Sequence, residues 1–94
     1  MIEVEPASTL ADGWAFTVRV SEAGGQTEHR VSVARSDYER LTGEAVEPEV
    51  LVRRTFEFLL AREPKEAILR EFELQVVSRY FPHFEAEIRQ ALAG

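Results

Sequence analysis

Cysteine is absent from this chain of 94 residues. The absence excludes disulfide bonds and metal sites built on thiolates, and it is typical of proteins in a reducing compartment. The sequence also has no apolar run near the roughly 18 residues that a membrane-spanning helix requires. Its first residues, MIEVEP, are acidic, whereas a secretory signal peptide begins with basic residues followed by an apolar stretch. We therefore expect a cytoplasmic protein with no membrane partner.

The sequence also lacks the short motifs of the common catalytic and ligand-binding sites. It contains no Gly-rich phosphate loop, no G-x-S-x-G motif, no H-E-x-x-H motif and no EF-hand loop. Only two histidines are present, and neither has further metal ligands at a recognisable spacing. The 17 acidic residues are so numerous that neighbouring carboxylates say nothing about catalysis. We therefore predict no enzymatic activity, no cofactor, no metal site and no small-molecule ligand.

The composition is that of a folded domain. Apolar residues make up 45% of the chain and charged residues 30%, which is typical of a globular protein. A length of 94 residues suffices for one hydrophobic core but not for two. We predict a single α+β domain over residues 1–94, with a β-meander in 1–35 and a helical part in 36–94.

Alternation of apolar and polar residues predicts antiparallel strands at about 14–21 and 27–34. The stretch WAFTVRV has an apolar side chain at every second position, and TEHRVSV repeats the pattern after two glycines. A two-residue loop at Gly24-Gly25, or a loop one residue earlier, keeps the apolar faces together, and the earlier loop pairs Arg19 with Glu28. The pattern thus determines the buried face and leaves the register of this hairpin open.

A first strand at about 2–10 completes a three-stranded antiparallel meander. A three-residue loop, Ala11-Asp12-Gly13, would place Leu10 opposite Trp14 on the apolar face and Val4 opposite Val20. A two-residue turn would instead send the apolar residues of the first strand to the wrong side of the sheet. The predicted apolar face consists of Ile2, Val4, Leu10, Trp14, Phe16, Val18, Val20, Val31 and Val33.

The first and third strands of the predicted meander are edge strands, so each has one side without a partner strand. Pro6 has no N–H group to donate, so the first strand lies at an edge and can be broken at this residue. The third strand forms the other edge, which is free to pair with a second molecule unless helices cover it. A free edge of this kind is a possible binding site for an added strand.

The first predicted helix covers about 37–42. Ser36 and Glu39 stand three residues apart, which is the spacing of a capping box with serine as the N-cap. Gly43 follows as a stop signal. The stretch EAVEPEV then makes an acidic connection to the next helix.

The second predicted helix covers about 48–62 and has Pro48 in its first turn. Its apolar residues span an arc of roughly 200°, which is wider than a surface helix needs. Phe56 and Leu59 belong to this arc. Because so wide an arc contacts two neighbours, we predict that this helix is the centre of the core, between the sheet and the C-terminal helices.

The C-terminal third predicts further short helices, which makes four to five in all, packed on one face of the sheet. Pro64 can open a helix whose inward residues are Ala67, Ile68, Leu69 and Phe72. The stretch QVVSRYF predicts another helix that ends before Pro82, and a last helix covers about 83–93. None of these pieces is long enough to be stable alone, so packing must hold them.

The stretch ILREFELQVVSRYFP, residues 68–82, allows three interpretations. Two helices could form a DNA-reading helix-turn-helix over about 66–81, they could meet at a corner of the core, or they could form a groove for a partner helix. A helix-turn-helix favours glycine at the turn and a small residue in its first helix, whereas this stretch has Glu73 and Leu69 there. DNA affinity also requires clustered cations, and the second helix has only Arg79. The corner is favoured, and a nucleic-acid-binding regulator is the alternative function.

The stretch RYFPHF, residues 79–84, is the strongest indication of a binding surface. Aromatic residues and arginine are enriched at protein interfaces, although the same aromatics could instead close the core. We predict a non-catalytic interaction domain that binds a protein partner or itself as a homo-oligomer. The contact is made by a free sheet edge or by the residues Arg79, Tyr80, Phe81, His83 and Phe84.

Both histidines are predicted to be structural. His29 lies on the apolar side of the third strand near its open end, where its ring can pack while its nitrogens reach water. His83 stands four residues before Glu87. Such a pair would stabilise the last helix by a few tenths of a kcal/mol.

The segment FEFLLAREP, followed by AILREFELQVVSRYFPHFE, resembles a group of short bacterial proteins of unknown function. The resemblance covers about residues 50–86, whereas the strands of the first half are generic. It implies a bacterial cytosolic origin. It implies no activity, ligand or catalytic residue for this chain.

Overall fold

The computed structural model of the protein describes residues 1–93. Within them, four strands form one mixed sheet in the order β1-β2-β3-β4. The elements are β1 (Ile2–Leu10), β2 (Gly13–Glu22), β3 (Gly25–Ala34), α1 (Arg35–Thr42), α2 (Pro48–Leu60), β4 (Glu71–Glu73), α3 (Val77–Tyr80) and α4 (Phe84–Ala93). Single 3-10 turns at Lys65–Ala67 and Leu74–Val76 flank β4. The predicted α+β class and its three antiparallel strands are confirmed, while the fourth strand was not predicted.

The β2–β3 hairpin uses the earlier of the two predicted loops. Ala23 and Gly24 both have positive φ, 53° and 77°, as a two-residue type I′ turn requires. Arg19 therefore lies opposite Glu28. Its guanidinium donates hydrogen bonds to Glu28 and to Glu5 of β1 on the outer face of the sheet. These charged pairs favour this register over the alternative, which the apolar alternation alone did not distinguish.

The first half of β1 faces the core as predicted, but in a different register. Ile2 lies opposite Val20 and Val4 opposite Val18, so the predicted pairing of Val4 with Val20 is wrong by two residues. Because the shift is an even number of residues, both side chains still point inward. They pack against the buried core cluster.

The second half of β1 departs from the prediction. The register shifts between Pro6 and Ser8, and Leu10 pairs with Gly13 across a two-residue loop. Leu10 is 44% exposed, so its predicted place on the apolar face is wrong, and so is the predicted three-residue loop. The bulge is the reason, because one extra residue reverses which side chains face the core. The rest of the predicted apolar face is buried or packs against the core.

Helix α1 begins without the predicted capping box. It starts at Arg35, directly after the last residue of β3, and its N-cap is Ala34 with no side-chain hydrogen bond. Ser36 therefore lies inside the first turn. The Arg35 N–H donates to the carbonyl of Asp12 at 2.7 Å, so the turn between β1 and β2 provides the acceptor at this helix start. Gly43 ends the helix in the left-handed conformation, as predicted.

Helix α2 is the centre of the core, as predicted. Phe56 is fully buried and Leu59 is 3% exposed, and both belong to the core cluster that includes the apolar face of the sheet. Pro48 opens the helix. A guanidinium–carboxylate pair between Arg62 and Glu87, at 2.9 Å, connects the residues just after α2 to α4. Glu87 therefore pairs with Arg62 and not with His83, as was predicted.

The predicted helix between Pro64 and Phe72 is not formed. After one 3-10 turn the chain extends, and β4 pairs in parallel with Arg30–Ser32 of β3. The Arg30 N–H donates to the carbonyl of Arg70 at 2.7 Å. The physical reason is the open edge of β3, whose unpaired backbone groups a helix at this position would leave unsatisfied. Residues 66–81 thus contain a strand where helix-turn-helix binding would need a first helix.

No helix in the described residues is long and apolar enough to cross a membrane.

Candidate protein-interaction groove

An open apolar groove lies beside the end of α2. Its volume is about 360 Å³. One wall is Leu59 of α2, the floor includes Ile68 and Phe72 of the extended segment, and α3 closes the other side. Its side chains thus come from separate segments of the chain. The side chains that line the groove include Leu59, Glu63, Ile68, Leu69, Phe72, Tyr80 and Phe81.

Two large apolar side chains of the groove remain exposed to solvent. Leu69 is 48% exposed and Tyr80 is 67% exposed. In the described part of the chain, the other exposed large hydrophobic residues are Met1 and Leu10, and neither lines this groove. The groove is therefore lined mainly by apolar side chains, two of which are exposed, and this is the composition of a surface that binds apolar side chains.

The predicted binding residues separate into three groups in the structure. Tyr80 and Phe81 line the groove. Arg79 and His83 are exposed but do not line it. Phe84 is fully buried, with its ring 5.1 Å from that of Phe58, so it belongs to the core and cannot contact a partner. The separation arises because α3 ends at Tyr80 and α4 begins at Phe84, which directs neighbouring aromatics to opposite environments.

Sequence reasoning missed Glu63, Leu69 and Phe72 as groove residues. Leu69 was assigned to the inner face of a helix that does not form. The only local signal for the correct structure is the alternation Glu71-Phe72-Glu73, which is too short to predict a strand alone.

His29 positions the extended segment that forms the groove floor. Its side chain is 1% exposed, and its ring centroid lies 5.3 Å from that of Phe56. Since a carbonyl can only accept, Nδ1 donates its proton to the carbonyl of Leu69 at 2.8 Å. Nε2 then accepts from the hydroxyl of Thr27, also at 2.8 Å. The prediction that these nitrogens reach water is wrong, because the segment before β4 covers this part of β3.

Burial lowers the pKa of His29 below its ordinary value of 6.5, although the Leu69 carbonyl opposes the change, and the nearby Arg70 lowers it further. The unfolded chain therefore binds a proton more readily than the folded protein does. The stabilising effect of neutral His29 is complete above about pH 6.5 and is lost as the pH falls below this value.

We therefore expect the contribution of His29 to the free energy of unfolding to rise as the pH is raised towards about 6.5 and to level off above that value. Urea denaturation at several pH values measures this dependence. In His29→Gln the dependence should be weaker, because the titrating ring is removed and the carboxylates remain. Parallel pH profiles for the two proteins would show that the ring does not titrate differently on folding.

Glu63 is the only charged residue among the side chains that line the groove in the described structure. It is half-buried. The cations next to it in the chain have other partners, since Arg62 pairs with Glu87 and Lys65 pairs with Glu66, both at 2.9 Å. The groove is thus apolar with one carboxylate.

Within residues 1–93, no three His, Asp or Glu side chains stand close enough together to hold a metal ion. No family model, curated protein or solved structure matches the chain.

Proposed function

We propose that the protein is a non-catalytic interaction domain that binds a protein partner through the groove. The observation that carries this proposal is the exposure of Leu69 and Tyr80 beside one apolar depression. Covering such side chains removes apolar surface from water, which is favourable, and the aromatic residue provides a large rigid contact. A cytosolic site of action fits the absence of cysteine.

The volume of the groove suggests the kind of contact. About 360 Å³ lies near the lower end of the range found for small-ligand pockets. Such a space takes in a few side chains and not a broad flat surface. The partner therefore contributes a short segment with one or two apolar anchor residues.

The sheet edges support binding less well than the groove does. The middle of β3 is paired with β4. On β1, the Arg53 guanidinium donates to the carbonyl of Ile2 at 2.5 Å, and the register shifts after Pro6. Side-chain contacts, bulges and prolines are features that discourage strand addition. We therefore assign the interaction to the groove.

Selection of short random peptides displayed on phage tests the proposal. We expect the protein to enrich peptides with apolar anchors. Leu69→Ala and Tyr80→Ala should each weaken their binding about tenfold, which is the loss expected when a side chain that carries much of the binding energy is truncated. Fluorescence anisotropy with the selected peptides measures the loss.

Leu10→Ala is the matched control, because this leucine is 44% exposed and does not line the groove. It should leave peptide affinity unchanged. The free energy of unfolding of each of the three variants should lie within about 0.5 kcal/mol of that of the parent protein, since the replaced side chains are exposed. Failure to enrich any peptide, or binding that is indifferent to both groove variants, would contradict the proposal.

A further inference from the structure

We infer that the partner segment in the groove carries a lysine or arginine beside its apolar anchor, and that this cation pairs with Glu63. The inference rests on the proposed function of the groove and specifies the chemistry of the partner. Its basis is the position of one carboxylate inside an otherwise apolar depression.

The surroundings of Glu63 favour a cation from outside the chain. A half-buried carboxylate that loses more water when a partner binds needs an opposite charge to offset the cost of desolvation. Arg62 is not free to provide this charge, because its guanidinium pairs with Glu87 and stacks on the Phe58 ring. The guanidinium carbon lies 3.6 Å from the centroid of that ring. Lys65 is almost fully buried and pairs with Glu66.

Two further features add to the attraction for a cation. Glu63 follows the end of α2 at Leu60, and the last carbonyls of a helix carry partial negative charge. Tyr80 presents an exposed aromatic ring in the same groove, and the face of such a ring attracts arginine and lysine. An apolar partner without a cation would leave the carboxylate desolvated and unpaired.

The net charge favours a different protein over a second copy of this one. Each chain has a formal net charge of −6, so self-association brings like charges together. A basic segment does not meet this repulsion, and its cation can pair with Glu63 in the groove. We therefore assign the groove to a basic, apolar segment of another protein.

The selected peptides described above test this inference. We expect them to share a lysine or arginine next to the apolar anchor. Glu63→Gln should weaken their binding about tenfold, because it removes a charged hydrogen-bond partner and nearly preserves the shape. The loss should shrink at high salt. Replacing the peptide's basic residue with glutamine should have the same effect, and the two changes together should cost little more than either one.

Glu57→Gln is the control, because it removes the same charge from α2 at an exposed residue that does not line the groove. It should change affinity less than about twofold, as expected for a charge outside a contact. In Glu63→Lys, peptides whose basic residue is replaced by glutamate should recover affinity. Circular dichroism and thermal unfolding confirm that each variant is folded.

Peptides that depend on Leu69 but carry no shared cation, and that bind Glu63→Gln as well as the parent protein, would overturn the inference and leave the proposed function intact. Absence of any selected peptide would overturn the proposed function itself. A homodimer detected by light scattering that Leu69→Asp dissociates would show that a second copy fills the groove, and the inference would be wrong.

Discussion

Replacing Phe56 with alanine is expected to lower the free energy of unfolding by about 3–5 kcal/mol. The ring is fully buried on α2, and its centroid lies 5.3 Å from that of His29 on β3 and 6.0 Å from that of Phe72 on β4. Alanine would leave a cavity where these elements meet, and the surrounding structure can only partly fill it. Urea denaturation monitored by circular dichroism measures the loss.

Two variants make this expectation decisive. Phe56→Leu, which keeps most of the apolar volume, should cost about 1.5 kcal/mol or less and should remain folded if the alanine variant does not. Tyr80→Ala should change the free energy of unfolding by less than about 0.5 kcal/mol, because that ring is exposed. A loss below about 1 kcal/mol for the alanine variant at Phe56 would show that α2 is not the centre of the core.

Gly13→Ala is expected to have the second-largest effect, a loss of about 3 kcal/mol, at the upper end of the range for overpacking. A Cβ atom at residue 13 would lie 2.0 Å from the carbonyl oxygen of Val33 and 3.0 Å from the Cα of Ala34. Both are backbone atoms of β3, so no side chain can rotate away to make room. The β2–β3 ladder must separate locally, which exposes apolar residues on both strands.

Gly25→Ala is the matched control at the other end of the same strand pair. Its Cβ would meet only the end of the Lys65 side chain, at 3.6 Å, which is an ordinary contact. The free energy of unfolding should stay the same or rise by at most about 1 kcal/mol, because alanine restricts the unfolded chain. Equal effects of the two substitutions in thermal unfolding would exclude the backbone clash as the cause.

These stability effects also bear on the groove. Phe56 packs against both His29 and Phe72, and His29 holds the carbonyl of Leu69. The Phe56 ring and the hydrogen bond from His29 therefore attach the floor of the groove to the core, in addition to the pairing of β4 with β3. We expect milder core variants such as Phe56→Leu to weaken peptide binding through this connection, without touching the rim.

Local sequence patterns were sufficient for the elements that bury one face by their own periodicity. The alternation in β2 and β3 identified which side chains point inward, and the wide apolar arc identified α2 as the central helix. In both cases each apolar residue has its counterpart two, three or four positions away, so a short window contains the signal. The turn at Ala23-Gly24 was one of two allowed choices, and the pairing of Arg19 with Glu28 distinguished them.

The elements that were predicted wrongly depend on distant parts of the chain. β4 is a strand because β3, much earlier in the chain, offers an open edge. The hydrogen bond from Nδ1 of His29 to the carbonyl of Leu69, in the same region, joins residues 40 positions apart. Leu10 is exposed because of a single bulge after Pro6. A helix was predicted between Pro64 and Phe72, where the chain is in fact extended. Local periodicity contains no information about the unpaired backbone groups of a distant strand.

The amino-acid sequence by itself determined the α+β class, the inward faces of the long strands and the central helix, and it marked the aromatic stretch near residue 80 as a candidate binding surface. Only the tertiary structure decided which of those aromatics is available to a partner. Phe84 is enclosed by the core, whereas Tyr80 is exposed and lines the same groove as Leu69 and Glu63. The physical reason is that burial and concavity arise from segments far apart in the chain, whose packing no local pattern encodes.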